Sequence, residues 1–333
     1  MLAFLQQGPI GPIPLEQWIQ SFVRFLTGNF RGLFDVVRQA IKIFVGVFEA
    51  VLTAPPELVM IAILAVIALF LSGWRVAVFA VLGFLLIAGL PEAWDRAMLT
   101  LALVLASTII ALILGIPLGI LSAKSRPVEA AAKPTLDVMQ TMPAFVYLVP
   151  MVVFLGLGAG PALVATVIFA APPAVRLTML GIQQVPQNTV EAAQAFGATP
   201  WQTLRKVELP QALPTIMAGV NQVIMLALSM VVIASLVGGG GLGDFVVQGL
   251  AQNNVGRAFV GGLGIVIIAI YLDRVTRRLG RTSQRGGLRR RLRLGKRDAS
   301  KVLPGVKADP DTAGTTGAGA EDTEVEEVGS GSR

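Results

Sequence analysis

The sequence has no cysteine and no histidine, and charged residues make up only 14% of its 333 residues. The missing thiols exclude disulfides and thiolate chemistry. The missing imidazoles remove the commonest metal ligand and proton relay, so we expect no metal site. Soluble domains carry about 25% charged residues, whereas 54% of this chain is hydrophobic and its mean hydropathy is +0.72. The composition therefore predicts an integral membrane protein.

Basic residues exceed acidic ones, giving a net charge of +7, and much of the excess lies between Arg274 and Arg297. These residues directly follow an apolar segment, where anionic lipid headgroups are the expected counter-charge. We therefore expect membrane lipid, and no nucleic acid, as a partner of this region.

Long apolar segments are abundant, and a bilayer-spanning helix needs about 20 largely apolar residues. Seven segments approach that length, roughly 57–73, 75–90, 97–122, 136–157, 161–181, 214–237 and 257–273. The sequence thus predicts an all-α integral membrane protein with about seven transmembrane helices. The first two segments are short and joined by Ser72, Gly73 and Trp74, which favours a tight transmembrane hairpin over 57–90 rather than one long buried helix.

The basic residues between these segments predict an orientation. They lie in the loops near residues 75, 124–133 and 205–206, and again after the last segment, whereas the intervening loops carry few or balanced charges. Basic loops tend to remain in the cytoplasm. We therefore expect the N-terminus outside the cell and the C-terminus in the cytoplasm.

Both ends of the chain differ from the predicted core at 91–280. In 1–56, apolar residues recur at helical spacing, which predicts an amphipathic helix in the outer membrane interface, with an eighth span as the alternative. That face comprises Leu33, Val37, Ala40, Phe44, Val47 and Val51. Residues 281–333 are first basic and then acidic, with few large apolar residues, which predicts a disordered cytoplasmic tail.

The sequence has few motifs or residues typical of catalysis or of ion-coupled transport. The chain has no GxxxxGK[ST] sequence, so we expect it not to hydrolyse ATP, to be no enzyme and to hold no cofactor of its own. The apolar segments carry almost no charge, which argues against a proton-driven carrier, although a sodium site of backbone carbonyls would leave no such trace. The glycines of 238–243 favour a flexible outer loop over a pore element.

A few polar or irregular residues inside the apolar segments are candidates for a translocation path. A proline opens a membrane helix, hydroxyls can face water, and aromatic rings can contact a cation. The alternative for each residue is packing or helix–helix hydrogen bonding. The candidates are Thr141, Pro143, Phe145, Tyr147, Asn221 and Ser229.

Local rules give the loop at 183–213 a definite shape. Asn188 is a predicted helix N-cap, with Glu191 three residues later in a pair like a capping box. Gly197 is well suited to the left-handed residue that ends a helix. These residues predict a first short helix over roughly 188–196.

A second short helix is predicted after Gly197. Thr199 is its predicted cap, Pro200 its first residue and Gln202 the third residue of another capping box. Leu209 and Pro210 are expected to end it. The predicted helix–glycine–helix unit is suited to docking on another surface, and an ordinary structured loop is the alternative.

The spacing within this loop resembles the EAA signature of ABC importer permeases. The matching residues are Glu191, Ala192, Ala193, Gly197, Val207, Leu209 and Pro210. Isoleucine is commoner at the Val207 position, which is a mild departure. In that family the loop sits in a cleft of a separate cytosolic ATPase, so the resemblance implies that these residues couple the chain to such an ATPase.

Further runs resemble permeases of the glycine betaine/proline betaine branch, over roughly 57–280. The runs that carry the resemblance are 139–150, 176–187, 214–243 and 260–280. The resemblance implies a type I (MetI-like) permease core in the bacterial inner membrane that imports osmoprotectants by alternating access. It also implies two permease copies, ATPase subunits that bind ATP and Mg²⁺, and a separate extracytoplasmic solute-binding protein.

Two other functions remain open at this stage. An ABC permease for choline, carnitine or an amino acid would share the loop. A self-contained channel or ion-coupled carrier would need no ATPase.

Overall fold

The computed structural model describes residues 14–277, and the regular structure within that range is helical throughout. The predicted all-α fold is confirmed. The helices are α1 Leu15–Asn29, α2 Arg31–Thr53, α3 Glu57–Ser72, α4 Trp74–Ala88, α5 Ala93–Lys124, α6 Arg126–Thr141, α7 Ala144–Leu155, α8 Ala159–Gln183, α9 Gln187–Ala195, α10 Pro200–Thr203, a π-helical turn Leu204–Glu208, α11 Leu209–Ala234, a 3-10 turn Ser235–Val237, α12 Leu242–Ala251 and α13 Val255–Arg277. The predicted tail 281–333 lies outside the described residues.

Four helical stretches of the described chain are long and apolar enough to cross a membrane, fewer than the seven predicted. They are Ala93–Lys124, Ala159–Gln183, Pro200–Val237 and Val255–Arg277, and two bent helix pairs would raise the number to six. The difference arises partly at the N-terminal hairpin, where α3 has 16 residues and α4 has 15. At 1.5 Å per residue these helices measure about 24 and 22 Å, less than the roughly 30 Å hydrocarbon core.

The α3 and α4 helices pack against each other as a hairpin. Gly73 has φ +92°, a conformation that side-chain-bearing residues rarely adopt, and it reverses the chain between the two helices. The α3 helix is also joined to α2 through a bend of 99°. The hairpin therefore continues from an N-terminal helix rather than beginning the membrane-embedded part of the chain.

The predicted segment 136–157 is not one continuous helix, because the chain bends by 92° between α6 and α7. The bend lies at Met142 and Pro143. A residue before proline is pushed out of the helical region, and Met142 accordingly has ψ 133°. The result is an α6 that leads into the membrane segment at an angle and a 12-residue α7 that follows it.

The helices α5, α8 and α11 pack so closely that several contact points have no room for a Cβ atom. A Cβ at Gly115 would lie 2.6 Å from the Cβ of Ala174, and one at Gly119 would lie 2.6 Å from the Cβ of Thr178. A Cβ at Gly181 would lie 3.1 Å from a backbone oxygen of α11. Small residues of this kind let membrane helices approach each other closely, and these three helices form the centre of the fold.

The N-terminal region forms two helices, and the apolar face predicted for it coincides with the buried face only at Phe44. Leu33, Val47 and Val51 are exposed. The residues of α2 that pack against the core or belong to it are Phe44 and, outside the predicted face, Ile41, Val45, Phe48 and Leu52. Apolar side chains surround much of α2, so periodicity alone did not identify the face that contacts α5, α7 and α8.

The segment 238–243 is tightly packed, and its interpretation as a flexible loop is wrong. Gly238, Gly240 and Gly241 all have φ near +80°. A Cβ at Gly241 would lie 2.4 Å from Oγ1 of Thr100, and that hydroxyl accepts a hydrogen bond from the Leu242 amide at 2.8 Å. The glycines are therefore needed for backbone conformation and for close approach to α5.

Polar contacts sort the helix ends into two groups. Ser72 Oγ donates to the carbonyl of Arg274 at 2.7 Å, and Lys124 Nζ lies 2.5 Å from Glu208. The C-terminal ends of α3, α5 and α13 and the chain just before α11 therefore belong to one end of the fold, here called the Lys124 end.

The opposite, Arg96 end carries its own charged cluster. Arg96 pairs with Asp244 at 2.5 Å, and Arg257 lies 3.6 Å from Glu92. Both guanidinium groups also lie over the ring of Phe245, at 5.4 and 4.9 Å. These contacts hold α12 between the N-terminal ends of α5 and α13.

Candidate coupling site and translocation path

The first helix of the loop, α9, begins differently from the prediction. Its cap position is Pro186, and no side chain caps it. Asn188 lies inside the helix, where its Oδ1 accepts from the Thr189 hydroxyl at 3.4 Å, so the predicted pair of Asn188 with Glu191 is wrong. The extended ψ of 128° at Pro186 lets the chain enter the helix without a side-chain cap.

The end of α9 at Gly197 is confirmed. Gly197 has φ +79°, its amide donates to the Gln194 carbonyl at 2.8 Å, and the Ala198 amide donates to Ala193 at 3.0 Å. A Cβ on Gly197 would meet nothing within 4 Å. The backbone conformation, rather than lack of space, is therefore what favours glycine here.

The capping box of the second helix is also confirmed. Thr199 Oγ1 accepts from the Gln202 amide at 3.3 Å, and Gln202 Oε1 accepts from the Thr199 amide at 3.0 Å. Pro200 occupies the first helical position, where its missing N–H costs nothing. The chain between α9 and α10 is thus fixed by reciprocal local hydrogen bonds.

The predicted end of this helix at Leu209 and Pro210 is wrong. A π-helical turn carries the chain into α11, and the Leu209 amide donates to the carbonyl of Leu204. Widening the helix just before Pro210 accommodates a residue that has no N–H and whose ring crowds the preceding turn. One helical stretch of 38 residues, Pro200–Val237, therefore joins the loop to the membrane core.

The exposed surface of the loop is available to a partner. Glu191, Ala192, Gly197 and Pro210 are exposed, and Ala193, Val207 and Leu209 are partly buried. Two aromatic residues of the loop that were not predicted as site residues are also exposed, Phe196 at 93% and Trp201 at 66%. Their presence in an otherwise polar stretch of sequence could have identified them.

An ion pair joins this loop to the core and was not predicted. Lys124 Nζ at the end of α5 lies 2.5 Å from Oε2 of Glu208, whose side chain is only 4% exposed. Beneath the pair, Leu204 packs with Ile182 and Ile216 in a small apolar cluster. The partners are 84 residues apart in sequence, so only the folded chain reveals the contact.

The candidate path residues around α7 separate into buried and exposed groups. Thr141, Pro143 and Phe145 are exposed, and Thr141 donates to the carbonyl of Asp137 at 3.0 Å. Tyr147 is buried, its ring lies 6.5 Å from that of Phe169, and its hydroxyl has no hydrogen-bond partner among the described residues. The structure does not bring these four side chains to one common surface.

The candidates on α11 lie in different environments. Asn221 donates to Asp273 at 2.8 Å and accepts from the Thr276 hydroxyl at 3.0 Å, so it links α11 to α13, which was the alternative interpretation. Ser229 is exposed and donates to the Met225 carbonyl at 3.1 Å. A serine hydroxyl bonded to its own helix adds little polarity to the surface it occupies.

A second charge pair, also unpredicted, lies on α6 and α8. Asp137 accepts from the guanidinium of Arg176, with side chains that are 64% and 38% exposed. About two turns from each, a second polar contact joins the same helices, because Gln183 donates to Glu129 at 3.1 Å. The 39 residues that separate Asp137 from Arg176 in sequence concealed the pairing.

The family model described as binding-protein-dependent transport system inner membrane component matches residues 115–284. The glycine betaine/proline betaine transport system permease protein of Escherichia coli K12 is 49% identical over 84% of this chain and 78% of its own. The glycine betaine/carnitine transport permease protein of Listeria monocytogenes is 51% identical over 80% and 95%. The glycine betaine transport system permease protein of Bacillus subtilis 168 is 46% identical over 80% and 94%.

A solved structure shows a similar fold. An inward-facing structure of the methionine ABC transporter MetNI contains a chain with a TM-score of 0.50 and 26% identity, covering 55% of this chain and 92% of that one. This likeness supports a MetI-like permease core.

Proposed function

The chain belongs to the family of binding-protein-dependent transport system inner membrane components, and from that premise we propose that it is the permease subunit of an ATP-driven importer of glycine betaine and proline betaine. The observation that carries the proposal is the similarity of 46–51% to three permeases named for glycine betaine, each over at least 80% of this chain. The chain forms the translocation path, and a separate protein supplies the free energy.

The coupling role is proposed for the loop at 183–213. Glu191, Ala192, Ala193 and Gly197 present a short exposed helix and its turn, which suits docking into a cleft of a cytosolic ATPase. Val207, Leu209 and Pro210 lie where the loop becomes the long helix of the core. A force applied to α10 is therefore passed along a continuous helix rather than through a flexible linker.

The proposed cycle is alternating access driven by the ATPases. Two copies of this chain pair, and each docks one ATPase subunit through its loop. Closure of the ATPases on ATP moves the loops together and favours the outward-open state, and hydrolysis restores the inward-open state. ATP and Mg²⁺ bind to the ATPases, so this chain is non-catalytic and holds no cofactor.

The proposed orientation follows from the two ends of the fold. The loop and Lys124 share one end, and the charged cluster of Arg96 lies at the other. Placing the basic Lys124 end in the cytoplasm leaves the Arg96 end to face an extracytoplasmic solute-binding protein. The N-terminus is then outside the bacterial inner membrane and the C-terminus inside.

The proposed path involves the surface around the bend between α6 and α7. Thr141, Pro143 and Phe145 are exposed there, Tyr147 on α7 is buried, and Ser229 on α11 is exposed. Asn221 is a weaker candidate, since its amide is already satisfied by Asp273 and Thr276.

Import of another quaternary ammonium solute is the second candidate, favoured by the Listeria relative, whose name includes carnitine. The test is uptake of labelled glycine betaine into proteoliposomes that contain this chain, its ATPase and its binding protein, with proline betaine, carnitine and choline as competitors. We expect uptake to require all three proteins and ATP, and glycine betaine to compete best. Stronger competition by carnitine or choline would reassign the solute. Flux without the ATPase would instead indicate a channel or an ion-coupled carrier.

A further inference from the structure

The pair formed by Asp137 and Arg176 occupies an unusual position for two charges in a membrane protein. Arg176 lies seven residues before the end of α8 at Gln183 and seventeen after its start at Ala159. At 1.5 Å per residue these distances are about 10 and 25 Å. The guanidinium is therefore attached well inside the helix and not at its last turn.

The exposure of this pair would be unfavourable on a surface that faces the hydrocarbon core. Both side chains are substantially exposed on a single copy of the chain, at 64% for Asp137 and 38% for Arg176. A charge facing hydrocarbon costs about 2.5–3.5 kcal/mol even by insertion scales. We therefore expect the surface that carries the pair to face water or another protein copy.

The backbone beside the pair gives an independent reason for the same conclusion. The helix breaks at Met142 and Pro143, one turn beyond Asp137, with a bend of 92°. Non-helical backbone at membrane depth is tolerated only inside protein or beside a water-filled cavity. Thr141 and Pro143 are exposed at this break, so protein does not bury it within one chain.

We propose that Asp137 and Arg176 line the aqueous translocation path and form a charge-balanced contact for a zwitterionic solute, Arg176 for its carboxylate and Asp137 for its ammonium end. This inference rests on the proposed function for the class of solute. The ion pair offers one cation and one anion, so neither end of a zwitterion meets uncompensated like charge. A solute of one sign, such as choline, can satisfy only one member of the pair and leaves the other without a partner.

The absence of cysteine from the sequence makes a direct test possible. Single cysteines are introduced as Thr141→Cys, which leaves the pair intact, and as Asp137→Cys. The matched control is Leu118→Cys on α5, because Leu118 is 48% exposed and the adjacent Gly119 contacts Thr178, two residues from Arg176. The three thiols thus have comparable depth, and only the first two lie beside the pair.

The measurement is the labelling rate with a membrane-impermeant thiol reagent, in proteoliposomes containing the complete transporter with its ATPase and binding protein. Because the reactive thiolate forms in water, we expect Thr141→Cys and Asp137→Cys to label about tenfold faster than Leu118→Cys or more. Saturating glycine betaine should slow labelling of Thr141→Cys, and choline at the same concentration should not.

Three labelling results would each contradict a different claim. Equal rates for all three thiols, whether fast or slow, would overturn the placement of the pair in the path. Fast labelling that glycine betaine and choline slow equally would overturn the zwitterion contact. Fast, selectively protected labelling without ATP-dependent uptake would retain this inference and defeat the proposed function.

Discussion

Replacing Lys124 by alanine should destabilise the protein more than replacing Glu208 by glutamine, although the two side chains form one ion pair. The Lys124 side chain is 44% exposed, whereas the Glu208 side chain is 4% exposed. Removal of Lys124 leaves a buried carboxylate without its counter-charge. Removal of the Glu208 charge leaves an ammonium group that can still be hydrated.

The magnitudes follow from this asymmetry. Breaking a fully buried ion pair lowers the free energy of unfolding by about 3–5 kcal/mol, and breaking an exposed pair lowers it by about 0–1 kcal/mol. Because one partner here is half exposed, we expect a loss of about 2–3 kcal/mol for Lys124→Ala and about 1 kcal/mol for Glu208→Gln. At roughly 2–4 °C per kcal/mol, Lys124→Ala should lower the melting temperature by about 4–12 °C.

Thermal unfolding of the purified protein in detergent measures these losses, and Lys133→Ala serves as the control. Lys133 pairs with Glu129 at 2.8 Å within one helix and is 59% exposed, so its removal should leave the melting temperature nearly unchanged. The double variant Lys124→Ala/Glu208→Gln should be more stable than Lys124→Ala alone. Equal losses for the two single variants, or no recovery in the double variant, would refute the burial argument.

Three further changes test the packing and the loop. Gly119→Ala should lower stability in the same thermal assay by about 1–3 kcal/mol through overpacking. Gly46→Ala, where an added Cβ would meet nothing within 4 Å, should raise stability by about 0.5–1 kcal/mol. A Gly119→Ala variant more stable than Gly46→Ala would contradict the packing of α5 against α8. Thr199→Ala should cost about 1 kcal/mol locally and speed hydrogen exchange of the Gln202 amide about fivefold, and an unchanged exchange rate would show that the capping box is unimportant. Gly197→Pro, incompatible with φ +79°, should leave membrane insertion intact while uptake is lost, and normal uptake would argue against the coupling role.

The features that the sequence predicts well are those determined by neighbouring residues. The capping box of Thr199 and Gln202 and the left-handed turn at Gly197 depend on a few adjacent backbone groups, and both are confirmed. The turn of the hairpin at Gly73 is local in the same sense. Such features can be inferred whenever the residue types leave few conformations open.

The features that escaped prediction depend on contacts between distant parts of the chain. The glycines of 238–243 appear flexible in sequence and become rigid only because α5 packs against them. The continuation of the helix past Pro210 needs a π-helical turn that proline statistics do not suggest. The buried face of α2 could not be chosen from periodicity, because only packing distinguishes Val45 from Val47.

The central claim is that the loop at 183–213 couples ATP hydrolysis in a partner to transport through this chain. The most direct measurement records glycine betaine uptake and ATP hydrolysis together in proteoliposomes, for the unaltered chain, Glu191→Arg and the control Glu57→Arg. Glu57 is also an exposed acidic residue, but it lies at the opposite end of the fold. We expect hydrolysis to continue while uptake is lost in Glu191→Arg, and both to remain normal in Glu57→Arg. Normal uptake by Glu191→Arg would contradict the account.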